Sequence, residues 1–109
     1  MALTLKVLGQ VAPAATTATD LYTVPASTSM VVSTLSVCNR GATNSTFRVS
    51  IRVAGAADAT KQYLYYDTVA PKNDTVAATL GITLAATDVV TVYAGNANLS
   101  FQIFGQEKV

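Results

Sequence analysis

The chain has 109 residues and a formal net charge of +1 at pH 7; half of its residues are hydrophobic and 12% are charged. This composition excludes an intrinsically disordered chain, a second domain of ordinary size, and a nucleic-acid-binding protein that relies on net positive charge. Histidine and tryptophan are absent and Cys38 is the one cysteine, which excludes disulfides within the chain, metal sites built from histidine or several cysteines, and nucleophilic catalysis with a histidine base.

Apolar and polar residues alternate with a period of two along most of the chain, and valine, threonine, isoleucine and tyrosine supply most of the alternation. Turn signals recur about every 10 to 14 residues, roughly the spacing expected of a sandwich or jelly roll. We therefore predict an all-β fold, an antiparallel β-sandwich or jelly-roll-like domain over residues 1–109. Its eight strands are predicted at residues 3–11, 20–24, 29–39, 46–53, 62–69, 75–80, 89–93 and 99–104.

The predicted strand at residues 46–53 alternates most regularly, with apolar residues on one face and Arg48 and Arg52 on the other. In an antiparallel sheet such a strand has one face in the core and one in water. The same alternation in the other strands gives a predicted core of Val31, Leu35, Val37, Phe47, Val49, Ile51, Leu64, Val90, Val92, Phe101 and Ile103.

Residues 76–86 have a competing helical interpretation, because alanine recurs in this segment and favours helix. Threonines and Gly81 dilute that preference, and the segment is too short to form a helix alone in water. We predict a strand, a turn and a further strand from this segment onward.

The strand at residues 62–69 concentrates tyrosine, with Tyr63 and Tyr65 predicted on one face and Tyr66 on the other. Two interpretations stay open: one face packs on the core and the other shelters a sheet edge, or the rings form a protein interface. Three arginines on a neutral protein offer too few phosphate contacts for nucleic acid, so we expect them to face a protein partner or to pair with carboxylates. The candidate interface residues are Tyr63, Tyr65, Tyr66, Arg48 and Arg52.

No residue pattern in the chain predicts a catalytic, cofactor-binding or metal site. The acidic residues lack the close spacing of a calcium loop, and the glycines occur singly rather than in a phosphate-binding loop. The N-terminal residues lack the pattern of a secretory signal, and no apolar run approaches the roughly 18 residues that span a bilayer. We therefore expect a protein made in a host cytoplasm, with no nucleic-acid or membrane partner.

Two consecutive segments, DLYTVPA at residues 20–26 and MVVSTLSVCNR at residues 30–40, carry a resemblance to a known group. The pair resembles small β-sandwich virion proteins and fibre-associated modules of tailed bacteriophages, including cyanophages. The resemblance continues at residues 46–49, 65–67, 81–84, 88–92 and 100–105, where the motifs are commoner. This chain has serine and threonine at residues 27–29, where the group pattern has a glycine, so the geometry of that turn stays open.

The resemblance implies a non-enzymatic structural component of a virion, in the tail, baseplate or fibre, present in multiple copies and bound to copies of itself and to other virion proteins. It implies no catalytic residues and no cofactor, and analogy with fibres suggests a trimer. The low charge and the many small side chains independently favour subunit packing. Two alternatives stay open: a capsid decoration protein, and a carbohydrate-binding β-sandwich module, which the absence of tryptophan weakens.

Overall fold

The computed structural model describes residues 3–109, and their regular structure is β-strand apart from two single-turn 3₁₀ segments at Val53–Gly55 and Thr60–Gln62. The predicted all-β fold is confirmed. The strands are β1 (Leu3–Val11), β2 (Thr19–Thr23), β3 (Ser29–Asn39), β4 (Ser45–Arg52), β5 (Tyr63–Ala70), β6 (Thr75–Leu84), β7 (Val89–Ala94) and β8 (Leu99–Lys108).

The strands form two four-stranded antiparallel sheets that enclose one hydrophobic core. Sheet 1 has the order β1-β8-β3-β6 and sheet 2 has the order β2-β7-β4-β5. β1 pairs with β8, β2 with β7, β3 with β6 and β4 with β5. This order results when a long antiparallel ribbon of strand pairs wraps around itself, and it is the arrangement of an eight-stranded jelly roll. The prediction of a β-sandwich or jelly-roll-like fold is therefore confirmed.

Most of the predicted core is buried between the two sheets. Ile51 is half-buried and packs against the core, whereas Val31 and Leu64 are 42% and 46% exposed, so their placement in the core was wrong. The predicted core residues that are buried are Leu35, Val37, Phe47, Val49, Val90, Val92, Phe101 and Ile103.

A β-bulge in β3 explains why Val31 lies outside. Between Val32 and Thr34, β3 advances two residues while β8 advances one, so Ser33 is an extra residue in the ladder. The extra residue shifts the alternation of faces, and Val32 and Leu35 are both buried although they are three positions apart. Val31, one position before Val32, therefore faces outward.

The alanine-rich segment forms a strand and not a helix. β6 is continuous over Thr75–Leu84, and β3 and β6 pair on both sides of an irregularity between Thr79 and Ile82. The strand therefore continues past its predicted end at residue 80, because a bulge within it accommodates Leu80 and Gly81, and the turn follows at residues 86–87.

Candidate interface surfaces

Two bulges in β5 decide where its tyrosines lie. Against β4, the strand accommodates one extra residue between Tyr65 and Thr68 and another between Tyr63 and Tyr65. Asp67 lies in the first bulge with a positive φ of 49°, and Leu64 lies in the second. Each extra residue shifts the alternation of faces, so the predicted grouping of Tyr63 with Tyr65 is wrong. The second bulge also explains why Leu64 lies outside the core.

The three tyrosines of β5 separate into an inner ring and an outer pair. The ring of Tyr65 packs on the fully buried Phe47, with 5.6 Å between the ring centroids. Tyr63 and Tyr66 contact each other edge to face, with 4.9 Å between their ring centroids, and Tyr66 is 56% exposed. Of the predicted interface tyrosines, Tyr65 therefore packs mainly against the core, while Tyr63 and Tyr66 lie together at the surface.

Arg48 of β4 lies between two tyrosine rings on the outer face of sheet 2. Its guanidinium carbon Cζ is 4.3 Å from the ring centroid of Tyr66 and 4.4 Å from that of Tyr93, as in cation–π contacts. Nε donates to Asp67 Oδ1 at 2.7 Å and Nη2 donates to Asp67 Oδ2 at 3.3 Å. This hydrogen bonding raises the pKa of Arg48 above its usual range. Tyr93 could not be identified from the sequence, because its position opposite Arg48 depends on the pairing of β4 with β7.

Arg52 holds several segments of sheet 2 together at the other end of β4. Its Nη2 donates to Asp20 Oδ1 at 2.9 Å and its Nε donates to Thr91 Oγ1 at 3.0 Å. Its Nη1 donates to the carbonyl oxygens of Gly55 and Ala56, both at 3.2 Å. Of the two interpretations of the arginines, carboxylate pairing therefore describes both Arg48 and Arg52.

The outer face of sheet 1 carries an apolar surface that was not predicted from the sequence. In the first part of β1 three apolar side chains face outward, with Leu3 60%, Leu5 81% and Val7 47% exposed, whereas Leu8 after them is buried in the core. The register places Leu5 and Val31 on either side of Gln106 of β8, and it pairs Val7 with Phe104. We call the set of Leu3, Leu5, Val7, Val31 and Phe104 the apolar face.

The apolar face is concave. A hollow of about 450 Å³ is lined by Leu5, Val31 and Phe104 together with Lys6, Ser33 and Gln106. A second hollow of about 280 Å³ next to it is lined by Leu3 and Val31 among other residues, including Gln106 and Lys108. Contiguous exposed apolar surface on a soluble protein commonly marks a contact with another protein. The alternation of residues 3–7 indicates a two-faced strand, but it does not indicate that the apolar side is the outer one.

Within residues 3–109, no helix is long and apolar enough to cross a membrane. Over the same range, no three Cys, Asp or Glu side chains are grouped as a metal ion would need. No protein-family model matches the chain, and no curated protein matches its sequence.

Proposed function

We propose that this protein is a non-enzymatic structural component of a tailed-bacteriophage virion, located in the tail, baseplate or fibre and present in multiple copies. The apolar face is the main observation that supports this proposal. Leu5 is the most exposed large hydrophobic residue described and lies beside Val31 and Phe104 in one concave surface. A strand that turns its apolar side to the outside leaves that surface in water unless another protein covers it.

The jelly-roll fold supports this proposal by analogy. Viral capsid proteins and lectins both use eight-stranded jelly rolls, although a fold alone does not determine function. The low proportion of charged residues, 12%, also suits a surface that is largely covered in an assembly. The resemblance of residues 20–26 and 30–40 to tailed-phage virion modules selects the kind of assembly.

The structural roles of the acidic side chains support the non-enzymatic part of the proposal. Asp20, Asp67 and Glu107 form ion pairs with Arg52, Arg48 and Lys6, respectively. The two carboxylate oxygens of Asp88 accept hydrogen bonds from the backbone N–H groups of Ala54 and Ala85, both at 2.9 Å. These carboxylates fix loops and strands in place, and that role accounts for their positions without catalysis.

A carbohydrate-binding module is the second candidate, and the cluster of Tyr63, Tyr66 and Tyr93 is the observation that favours it. Aromatic rings at a surface suit the apolar faces of sugars. However, Arg48 already lies over the rings of Tyr66 and Tyr93, so those ring faces are partly occupied. A glycan array that detects a specific ligand, lost in Tyr66→Ala, would favour this candidate; an array without a ligand would exclude it.

Mass spectrometry of purified particles tests the main proposal. We expect the protein at several copies per particle, and we expect Leu5→Lys to reduce its incorporation because a charge then lies in the covered surface. Thr23→Lys is the control, since Thr23 is exposed on β2 of the other sheet and adds the same charge there. A protein that is abundant in infected cells and absent from particles would contradict the structural function. Equal incorporation of both variants would contradict the assignment of the apolar face.

A further inference from the structure

The four sheet edges differ in how they are protected against pairing with another strand. β2 has five residues and is followed closely by Pro25, and short strands and prolines protect edges. β1 carries Lys6 on its inner side and a bulge between Val7 and Gly9. β5 contains two bulges and the positive-φ residue Asp67. Charges and bulges are the other common protective devices.

β6 is the least protected of the four edges. It has ten residues, none of which is charged and none of which is proline. Its one irregularity lies between Thr79 and Ile82, so the run Thr75–Thr79 pairs with β3 without interruption. A long, uncharged and regular edge leaves a row of backbone N–H and C=O groups available to a further strand.

The core is also less completely covered along β6 than on the opposite side. Val76, Leu80 and Ile82 pack against the core but remain partly exposed. On the opposite side, β1 and β2 approach so closely that a Cβ on Gly9 would lie 2.5 Å from the carbonyl oxygen of Leu21. A further strand beside β6 would therefore bury apolar surface in addition to pairing the edge.

We propose that β6 pairs antiparallel with β6 of a second copy of this chain, around a two-fold axis at Ala77. This contact specifies how copies join and rests on the proposed multi-copy function. Ala77 is the midpoint of the regular run, so Thr75 would face Thr79 of the second copy and Val76 would face Ala78. Sheet 1 would continue across the axis as one eight-stranded sheet.

The side chains along this edge favour a second copy over a different partner. The two edge segments that would pair, residues 75–79 of each copy, contain only threonine, alanine and valine. Two identical copies can therefore pair there without repulsion between equal charges. The edge offers no charged group that would select an acidic or basic peptide. The existing register already places Val76 beside Val37 and Ala78 beside Leu35, so the apolar row of sheet 1 would extend into the second copy.

Paired charge variants test the contact. Thr75→Lys/Thr79→Lys and Thr75→Glu/Thr79→Glu each place equal charges opposite one another across the axis. We expect each variant alone to lose the concentration-dependent dimer that wild type forms in sedimentation velocity, and an equimolar mixture of the two to restore it. The control is Thr17→Lys/Thr23→Lys, which adds the same charges at two exposed residues, one just before β2 and one in it, and should leave the dimer intact.

Oxidative cross-linking locates the axis and decides the case if the charged variants do not fold. Ala77→Cys in a Cys38→Ser background should form a disulfide dimer, because the Cα separation of directly opposed strand residues, about 4.5 to 5.5 Å, lies in the disulfide range. Thr23→Cys in the same background is the control.

Three results would overturn the proposed contact: a wild-type protein that stays monomeric up to its solubility limit, a dimer that both charged variants retain, or cross-linking that is equal at residues 23 and 77. None of these results bears on whether the protein is present in particles, which mass spectrometry decides separately. A failure of the β6 contact is therefore distinguishable from a failure of the virion function.

Discussion

Asn39, at the end of β3, joins three segments through one buried amide. The side chain is 1% exposed. Its Nδ2 donates to the carbonyl oxygens of Thr43 and Ala70, both at 2.9 Å, and its Oδ1 accepts from the backbone N–H of Gly41 at 2.9 Å. The amide therefore connects the end of β3 to backbone groups of the β3–β4 loop and to the carbonyl oxygen of Ala70, the last residue of β5.

Asn39→Ala should lower the free energy of unfolding by about 3 kcal/mol, because each buried backbone group left without a partner costs about 1 to 3 kcal/mol. Asn44→Ala is the control, since Asn44 is exposed and accepts one hydrogen bond, from the backbone N–H of Lys72. We expect its effect to stay below about 1 kcal/mol. Urea denaturation of both variants measures the difference, and equal losses would contradict the structural role of Asn39.

Individual residues show how far the sequence could be interpreted. Asn39 belongs to the segment that resembles phage modules. Its role as a buried connector, however, depends on the positions of Thr43 and Ala70, which lie 4 and 31 residues further along the chain. Ser27 lies in the segment 27–29 in which a glycine was expected, and it has a positive φ of 58°. This turn therefore uses the left-handed conformation at a serine, which adopts it less readily than glycine.

At the level of strands, bulges decide which residues are buried. A bulge leaves the period-two pattern intact in the sequence on each side, but it shifts the assignment of faces from that point onward. Because of the bulge at Ser33, Val31 of β3 lies outside the core. Because of the bulge at Leu64, Leu64 of β5 also lies outside the core. Strand positions and fold class could be predicted from local pattern, whereas faces beyond a bulge could not, because a bulge depends on pairing between distant strands.

Aspartate substitutions at neighbouring residues test the β3 bulge. Val32 is 1% exposed, so Val32→Asp would bury an unpaired charge that costs several kcal/mol against a total stability of about 5 to 15 kcal/mol, and the variant should unfold. Val31→Asp places the same charge on the outer face and should cost less than about 1 kcal/mol. Thermal denaturation followed by circular dichroism distinguishes them, and a folded Val32→Asp variant would show that the assigned face is wrong.

The candidate surfaces also depend on the pairing of distant strands. The tyrosine cluster could be located from composition, but the stacking of Arg48 between Tyr66 and Tyr93 required the β4–β7 register. The apolar face joins residues from three strands, β1, β3 and β8, so no local pattern could reveal it. Surfaces made by strands that are distant in sequence become visible only when the strand order is known.

For the whole molecule, one side of the sandwich is held by a polar connection between the two sheets. Tyr22 of β2, in sheet 2, donates its hydroxyl to Glu107 Oε2 of β8, in sheet 1, at 3.1 Å. Lys6 Nζ lies 3.2 Å from the same oxygen, and the Glu107 side chain is only 15% exposed. Burial, together with the hydrogen bond to Glu107 and its charge, raises the pKa of Tyr22 to about 12.

The raised pKa predicts a loss of stability at alkaline pH. The folded protein holds the Tyr22 proton more tightly than the unfolded chain, whose tyrosine pKa is about 10, so this stabilisation is complete below about pH 10 and is lost as the pH rises through about 12.

Tyr22→Phe lacks the hydroxyl and should unfold about 1 kcal/mol more easily at neutral pH. Above about pH 10 the difference between wild type and Tyr22→Phe should shrink, which urea denaturation at increasing pH measures. Glu107→Gln, which removes the negative charge beside the phenol, should lower the pKa of Tyr22 in the folded protein, so the loss should be smaller and should end at a lower pH. A difference that stays constant up to about pH 12 would show that Tyr22 does not connect the two sheets in this way.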